Sequence, residues 1–343
     1  MSLKLADYRY DLPEERIAAY PAVPRDASRL LVLPPQGPPV HSRFRELPGH
    51  LLPGDLLVLN DTRVVKARLL GARPGGGAAE VFLLRPRPEG LWEALVRPGK
   101  RLGPGTRVVL EGGAEVEVVE RLPAGGRLVR LRGGEAQAVL RRFGHVPLPP
   151  YIRREDEPGD ARRYQTVFAR EGHSVAAPTA GLHFTPRLFS ALARRGVEVC
   201  RIRLDVGPGT FRPVTRDDIS EHRMDPEPYH VAPEAAGRIN RGLREGRRVV
   251  AVGTTVTRAL EDQMARHGEV RAGSWETDLF ILPGFRFRAV AGLVTNFHLP
   301  GSTLVMLVCA LAGRERLLGA YREAVDEGYR FYSYGDAMLA WRT

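Results

Sequence analysis

The sequence predicts an α/β protein: a barrel-like (β/α) main domain with a small antiparallel β-barrel inserted into it. Three features of the chain indicate this fold. Strand-like apolar runs alternate with helix-like runs after residue 174, polar glycine-rich loops follow the strand-like runs, and residues 66–146 change to two-residue alternation broken by glycine pairs. The predicted domains are therefore residues 1–64 with 149–343, forming the α/β domain, and residues 65–148, forming the β-barrel.

The first predicted strand, residues 55–60, is largely apolar and is followed by the polar run 60–63. In the insertion, residues 107–113, 114–120 and 126–134 alternate apolar with polar side chains, and the first and last of these segments end in paired glycines. This pattern is typical of antiparallel hairpins, and several short strands in succession favour a small barrel or sandwich. Residues 144–151 are the predicted return to the main domain.

The elements after residue 174 follow strand–helix alternation. One helix is well delimited, because Thr185 is suited to the N-cap, Pro186 to the first position and Gly196 to the end. Further helices are predicted over 254–262, 302–312 and 316–327, and strands over 197–206, 247–253, 278–281 and 290–295. Loops at the C-terminal ends of strands form the ligand site of α/β sheets and barrels, so loops 60–63, 207–211, 253–255 and 296–300 predict a site at that edge.

Composition narrows the class of protein. With 343 residues the chain is long enough for one large or two ordinary domains, and no run approaches the ~20 apolar residues of a membrane span. The first ten residues lack an apolar signal core, and two cysteines are too few for a disulfide framework or a cysteine-based zinc site. We therefore expect a cytoplasmic protein that does not associate with membranes.

The net charge is +11, and lysine occurs only at positions 4, 66 and 100, so arginine supplies most of the positive charge. A basic surface attracts phosphate backbones, and arginine binds phosphates and stacks on bases. An arginine bias from a GC-rich genome explains the same composition. Charge alone therefore leaves nucleic-acid binding open.

Two histidines are candidates for proton transfer. His183 and His298 each stand between two apolar residues in loops that contain threonine or glycine. Burial favours neutral imidazole, which can act as a base or as a hydrogen-bond donor. A core histidine bonded to a backbone carbonyl is the alternative in both places. Thr179 and Gly181, close to His183, favour a role in a site.

Two segments are candidates for binding an anion or approaching a ligand closely. Gly253-Thr254-Thr255 joins a predicted strand to a helix that carries Arg258, and a helix start of this kind is either an anion cradle or an ordinary threonine N-cap. The second segment is residues 207–211, which contain Gly207, Gly209, Thr210 and Phe211. Its glycines either allow a ligand to approach the backbone closely or form a plain turn.

Other polar and aromatic candidates have equally simple alternatives. Asp61 and Arg63 either pair with each other or supply a carboxylate and an anion clamp, and Asp278 and Asp336 are similar carboxylates. Phe331, Tyr332 and Tyr334 either stack on a purine or form an aromatic plug at the C-terminus. The spacing of histidines and carboxylates predicts no metal site, and the glycine motifs of dinucleotide folds and P-loops are absent from the sequence.

Taken together, these segments resemble the S-adenosylmethionine:tRNA ribosyltransferase-isomerase family of queuosine biosynthesis, nearly from end to end. The resemblance rests on residues 10–13, 25–30, 53–63, 148–152, 163–166, 174–185, 295–303 and 329–339. This chain departs from the family pattern at His173, Pro208 and Asp225. The resemblance implies an α/β barrel-like domain with an inserted β-barrel.

The resemblance also implies a reaction. Such an enzyme uses S-adenosylmethionine as a ribosyl donor and the 7-aminomethyl-7-deazaguanine wobble base of tRNA as acceptor. Adenine and methionine leave, and the product is epoxyqueuosine-tRNA. We expect no cofactor beyond S-adenosylmethionine as co-substrate, no metal, tRNA as the partner, and a monomer.

This chemistry suggests roles for the candidate residues. His183 or His298 would transfer protons, Asp61 or Asp278 would face the sulfonium or the amine, and Tyr334 with Phe211 would stack on adenine. The remaining expected substrate-binding residues are Arg63, Thr179, Gly181, Gly207, Gly209, Thr210, Thr254, Thr255, Arg258, Asn296 and Asp336. Arg97, Lys100 and Arg101, with Arg107, Arg127 and Arg130, are expected either to bind the tRNA arm or to form a solvated barrel surface.

Two other functions remain open at this point. A noncatalytic RNA-binding protein would account for the charge and the inserted barrel, but it leaves the histidine-bearing loops unexplained. A barrel enzyme acting on a phosphorylated sugar would account for Gly253-Thr254-Thr255, but it leaves the basic excess unexplained.

Overall fold

The computed structural model describes residues 4–207, 214 and 216–343. Its strands are β1 (Arg29–Leu33), β2 (Val40–Arg43), β3 (Leu56–Asn60), β4 (Arg68–Ala72), β5 (Ala78–Pro86), β6 (Leu91–Arg97), β7 (Arg107–Leu110), β8 (Glu115–Arg121), β9 (Arg127–Arg132), β10 (Gly144–His145), β11 (Glu198–Leu204), β12 (Glu227–Val231), β13 (Val249–Val252), β14 (Gly273–Thr277), β15 (Val290–Asn296) and β16 (Ala337–Trp341). Its α-helices are α1 (Ala136–Phe143), α2 (Asp160–Arg163), α3 (Pro186–Arg194), α4 (Pro233–Arg244), α5 (Thr254–His267), α6 (Thr303–Ala312) and α7 (Arg314–Asp326).

A nine-stranded mixed sheet forms the main domain, in the order β14-β12-β11-β3-β13-β15-β16-β1-β2. β11, β3, β13 and β15 are parallel neighbours, whereas β16 runs antiparallel to β15 and parallel to β1. Within the described residues the sheet is open, with β14 and β2 as its edge strands. In a complete (β/α) barrel the two edge strands would pair with each other and all strands would be parallel. The α/β class is confirmed.

The central strands are buried on both faces, which explains their unbroken apolar sequence. In β3, Leu56 and Val58 pack into the core that contains α4, α5, α6 and α7 residues, while Leu57 and Leu59 pack toward α3. Val249 and Val250 of β13 divide between the same two cores. Because both faces are covered, a ligand can approach this sheet at the ends of its strands.

The insertion is a closed antiparallel barrel, as predicted. Its strands follow the order β4-β5-β6-β9-β8-β7, and β7 pairs again with β4, while β10 adds to the outside of β4. The interior contains alternate residues of each strand, among them Val81, Trp92, Val116 and Val129. The proposed domain limits at residues 64/65 and 148/149 stay a prediction, supported by strands that run from Arg68 to His145.

Most helix limits match the residues expected to set them. Thr185 caps α3 by accepting a hydrogen bond from the Leu188 N–H at 3.2 Å, and Ser302 caps α6 in the same way through Val305 at 3.3 Å. Helix α5 continues past residue 262 to His267 and ends at Gly268, which has φ of 72°.

One predicted strand is wrong. Residues 278–281 have no strand structure, and β14 ends just before them at Thr277. The hydroxyl of Thr277 accepts a hydrogen bond from the Leu279 N–H at 3.2 Å, which turns the chain out of the sheet. In the described part of the chain, no helix is long and apolar enough to cross a membrane.

Candidate active site

A cavity of about 230 Å³ opens at the C-terminal ends of the parallel strands β13 and β15. Four segments meet there: residues 177–180, 253–255, 295–302 and 332–333. This is the edge of the sheet at which the sequence predicts a site. The residues with polar or charged side chains on its wall are Arg9, Thr179, Thr254, Thr255, Thr295, Asn296, His298, Ser302, Tyr332 and Ser333.

The first turn of α5 gives one side of the cavity a positive electrostatic character. Gly253 has φ of 97°, a conformation that favours glycine, and leads directly into Thr254 and Thr255. In the described residues no side chain caps this helix start, so its first N–H groups are free to meet a ligand. The helix dipole and these N–H groups favour an anion at this position.

His298 lies on the cavity wall. Its Nε2 is 2.7 Å from the Thr295 hydroxyl, and its backbone is fixed by hydrogen bonds with the hydroxyls of Tyr321 and Tyr10. Burial lowers the pKa of His298 to about 3. The ring is therefore neutral near pH 7, and the tautomer that donates from Nε2 to Thr295 leaves Nδ1 as an acceptor.

His183 lies behind the cavity wall and contacts it through Asn296. Its Nε2 is 3.1 Å from the Asn296 Nδ2, its Nδ1 is 2.8 Å from the Ser28 hydroxyl, and the Phe44 ring stacks on it at 4.8 Å. Burial, with smaller contributions from Arg330 and Arg25, lowers the pKa of His183 to about 3. Since an amide NH₂ can only donate, Nε2 accepts and Nδ1 carries the proton toward Ser28.

Asn296 therefore has a fixed amide orientation. Its Nδ2 donates to His183 and also to the Tyr332 carbonyl at 3.1 Å. Its Oδ1 is buried and, among the described residues, has no hydrogen-bond partner. A buried acceptor without a donor costs free energy, so this oxygen is suited to an N–H or O–H group of a ligand.

Two expected substrate-binding residues, Arg258 and Tyr334, have partners within the protein. Arg258 is buried in an ion pair with Glu227 and donates to the carbonyls of Leu279 and Thr277. The Tyr334 hydroxyl donates to Asp160 at 3.1 Å. These contacts engage the Arg258 guanidinium and the Tyr334 hydroxyl within the fold, and neither residue is on the wall of the cavity.

The carboxylate of Asp336 is engaged in the same way. It accepts from the N–H groups of Arg29 and Arg330, both at 2.8 Å, and so fixes the loop before β16. Its carbonyl lies 3.5 Å from the Asn296 Nδ2. The role of Asp336 is thus to shape the loop that contributes Tyr332 and Ser333 to the cavity.

Asp61, Arg63 and Asp278 lie apart from the two histidines. Asp61 lines a separate cavity with Arg170 and Arg201, where burial raises its pKa against the opposing effect of these arginines. The guanidinium of Arg63 donates to the Arg170 carbonyl at 3.0 Å, and Asp278 is exposed beyond the end of β14. The structure does not bring these three residues to the active cavity.

The small residues of the prediction divide into two groups. Thr179 lines the cavity, whereas a Cβ at Gly181 would lie 2.8 Å from the Phe168 ring, so Gly181 allows close packing. Gly207 precedes a segment outside the described residues, in which the expected Gly209, Thr210 and Phe211, as well as Pro208, fall. Val206 and Val214, on either side of it in sequence, both line the cavity.

The sequence did not predict Arg9 or Ser333 as wall residues, whereas Tyr332 was a candidate for stacking on a purine and does line the cavity. Arg9 is exposed, and within the described chain no carboxylate forms an ion pair with it. Tyr332 has φ of 73°, unusual for a residue other than glycine, and its N–H donates to the Phe297 carbonyl at 3.0 Å. The aromatic sequence 331–334 indicated Tyr332, and nothing in the sequence singled out Arg9 or Ser333.

The basic residues of the barrel are not equivalent. Arg97, Lys100 and Arg101 are exposed, as a role in binding RNA requires. Arg127 is buried and donates to the carbonyls of Leu102 and Gly99, at 2.7 and 2.6 Å, so it is part of the barrel's structure. Arg107 lies 3.6 Å from Glu115, which reduces its net charge.

Together these features define an α/β protein with a closed β-barrel insertion and a strand-end cavity that combines a neutral histidine with an anion-binding helix start. No cluster of three or more metal-ligating side chains occurs among the residues described. The chain belongs to the family described as queuosine biosynthesis protein, whose sequence model matches residues 5–340.

Similar proteins cover the whole chain. One from Moorella thermoacetica is 53% identical over 98% of this chain and 99% of its own length, and one from Symbiobacterium thermophilum is 54% identical over the same shares. Both are named S-adenosylmethionine:tRNA ribosyltransferase-isomerase. The crystal structure of S-adenosylmethionine tRNA ribosyltransferase from Thermotoga maritima is 38% identical, covers 97% of this chain and 99% of its own, and has a TM-score of 0.55. The resemblance seen in the sequence is confirmed.

Proposed function

We propose that this protein transfers and isomerises the ribosyl group of S-adenosylmethionine onto the 7-aminomethyl-7-deazaguanine wobble base of tRNA, giving epoxyqueuosine-tRNA with release of adenine and methionine. Family membership supports the reaction. The observation that carries it to this chain is the strand-end cavity, which is lined by both neutral His298 and the first turn of α5. The carboxylate of S-adenosylmethionine and the proton that must be removed from it each have a suited partner there.

The methionine end of the donor is suited to the α5 side. Its carboxylate would accept hydrogen bonds from the N–H groups and hydroxyls of Thr254 and Thr255, at the positive end of the helix. Arg9, on the rim of the same cavity, adds a cation that is free to approach the carboxylate. These residues replace Arg258 as the proposed anion-binding group.

His298 is the proposed proton-transfer residue. The positive sulfur acidifies the adjacent carbon, and Nδ1 of the neutral ring is available to remove a proton from it. The proton taken up at Nδ1 would then pass to a nitrogen of the departing adenine, because protonation makes adenine a better leaving group.

Asn296 is proposed to orient a substrate N–H group through its Oδ1. The acceptor amine and the adenine amino group are both donors of the required kind. His183 acts on the reaction only through this amide, so we propose it as a positioning residue. We further propose that the protein acts in the cytoplasm as a monomer, with tRNA and S-adenosylmethionine as its partners and no additional cofactor.

The test is incubation with S-adenosylmethionine and tRNA carrying the aminomethyl-deazaguanine base, with adenine and methionine followed by chromatography. We expect both products to appear with that tRNA and to be absent with unmodified tRNA. Absence of adenine while the modified tRNA still binds would contradict the proposal and favour a noncatalytic RNA-binding protein. Absence of both adenine and tRNA binding would favour an enzyme acting on a phosphorylated small molecule.

A further inference from the structure

A second cavity, of about 790 Å³, lies at the junction of the barrel and the main domain. Its wall contains residues from both sides of that junction. The barrel side contributes Lys66, Gln137, Leu140 and Arg141, and the main-domain side contributes Arg63, Tyr164, Gln165, Glu171, Gly172 and His173. We call this cavity the junction cleft.

The charges in the junction cleft are mostly positive and mostly uncompensated. Within the described residues, Lys66 and Arg141 form no ion pair, and Arg63 is bonded to the backbone carbonyls of residues 169 and 170, which leaves its charge intact. The carboxylate of Glu171 lies 3.5 Å from Arg203 and is partly neutralised. Three cations supplied by the two domains therefore face one opening.

The junction cleft is connected to the active cavity by a single segment of the chain, residues 172–177. Gly172 and His173 line the cleft, and Ala177 begins the part that lines the active cavity. Three residues lie between His173 and Ala177, so the four steps along the chain span at most about 14 Å. The segment is held in place because the Ser174 carbonyl accepts from the Val65 N–H at 3.0 Å and the Ser174 hydroxyl accepts from the Val206 N–H at 2.9 Å.

We propose that the junction cleft binds the sugar–phosphate backbone of the tRNA strand whose wobble nucleotide enters the active cavity. Lys66, Arg141 and Arg63 would contact phosphates, whose binding releases condensed counterions. The proposal rests on the proposed function for the identity of the RNA. It places the main electrostatic contact at the junction of the domains, in contrast to the exposed barrel surface of Arg97, Lys100 and Arg101.

The helix α1 offers a matched control. Arg141 lines the cleft, whereas its neighbour Arg142 is equally exposed but has its guanidinium over the Phe143 ring, 5.0 Å from the centroid. Arg141→Gln and Arg142→Gln remove the same charge from the same helix. Lys66→Gln and Lys100→Gln form a second pair, which compares the cleft with the barrel surface.

The experiment measures the affinity of these full-length variants for the modified tRNA at several salt concentrations. We expect the Lys66→Gln/Arg141→Gln double variant to bind about tenfold more weakly or worse, with the slope of log K against log salt reduced in magnitude by about 1 to 2. Arg142→Gln should match the wild type. If thermal melting shows that the double variant is unstable, the Lys66→Gln and Arg141→Gln single variants are measured instead. Each should change the slope by about half as much as the double variant.

Wild-type affinity and slope in the cleft variants would overturn the proposal, as would a loss of slope confined to Lys100→Gln. Adenine release by the wild-type protein, measured in parallel, reports on the proposed function separately. If the wild type releases no adenine but the cleft variants still lose affinity, the reaction is disproved while the RNA-binding site stands.

Discussion

The two buried histidines differ in what their ring nitrogens contact, although their sequence surroundings are alike. Nε2 of His183 accepts from an asparagine amide and its Nδ1 contacts the hydroxyl of Ser28, so both nitrogens are used within the protein. His298 uses one nitrogen on Thr295 and lies on the wall of the cavity. The chemistry available to a histidine is set by these partners, which lie far away in sequence for His183.

This difference predicts unequal effects of substitution. His298→Ala should lower kcat by about 10²- to 10⁴-fold, the usual contribution of a general acid–base group. His183→Ala should act mainly on substrate KM, because the Asn296 amide loses one of the hydrogen bonds that fix its orientation. His183→Gln, whose side-chain oxygen can again accept from Asn296, should recover part of that loss.

Steady-state adenine release at varied S-adenosylmethionine and tRNA concentrations checks this prediction. His50→Ala is a suitable control, because His50 bonds to Ser42 at 3.0 Å outside the cavity. Equal loss of kcat in the His183 and His298 variants, without a change in KM, would contradict the division of roles.

At the scale of single elements, a glycine at the end of a helix and a glycine inside a helix affect stability in opposite ways. Gly268 ends α5 with φ of 72°, and Gly237 lies inside α4. A Cβ added at either position would meet no described atom within 4 Å. The two sites therefore differ in backbone conformation and are otherwise comparable.

Gly268→Ala should lower the free energy of unfolding by about 1 kcal/mol, because alanine is strained at positive φ. Gly237→Ala should raise it by about 0.5 to 1 kcal/mol, because alanine loses less conformational freedom in a helix. Urea unfolding of both variants beside the wild type measures the difference. Changes of the same sign would show that packing, and not backbone conformation, dominates at one of them.

The sequence predicted elements well where local chemistry specifies them and poorly where distant contacts do. The capping of α3 by Thr185 and the burial of β3 are encoded in neighbouring residues, and both were predicted. The short strand β12 and the pairing of β16 with β1 depend on partners far along the chain. The site shows the same division: Thr254 and His298 were found from their loops, whereas Arg9 reaches the cavity only through tertiary packing.

For the whole molecule, stability should depend on pH through the buried histidines. His183 and His298 have a pKa of about 3 in the folded protein, against 6.5 when exposed. The unfolded chain therefore binds protons that the folded protein does not, and the free energy of unfolding falls as the pH drops from about 6.5 toward 3. Each histidine contributes a slope of about 1.4 kcal/mol per pH unit within that window.

Urea unfolding at about pH 7, 6 and 5 measures this slope, and His298→Gln should reduce it by about half. Glu261 acts in the opposite sense at the acidic end. Its carboxylate accepts three backbone N–H groups, but burial raises its pKa, so protonation there favours the folded state. A stability that does not change between pH 7 and 5 would show that the histidines are hydrated in the folded protein.

The pairing of β10 with β4 has a consequence for how this architecture can be rearranged. His145 lies opposite Arg68, so the chain leaves the barrel beside the point at which it entered. Across an antiparallel pair the two positions are about 5 Å apart, a gap that one or two residues can bridge. The barrel is therefore inserted at one point of the main domain through two neighbouring chain segments, and joining those segments directly would leave the strand order of the sheet that carries the active cavity unchanged.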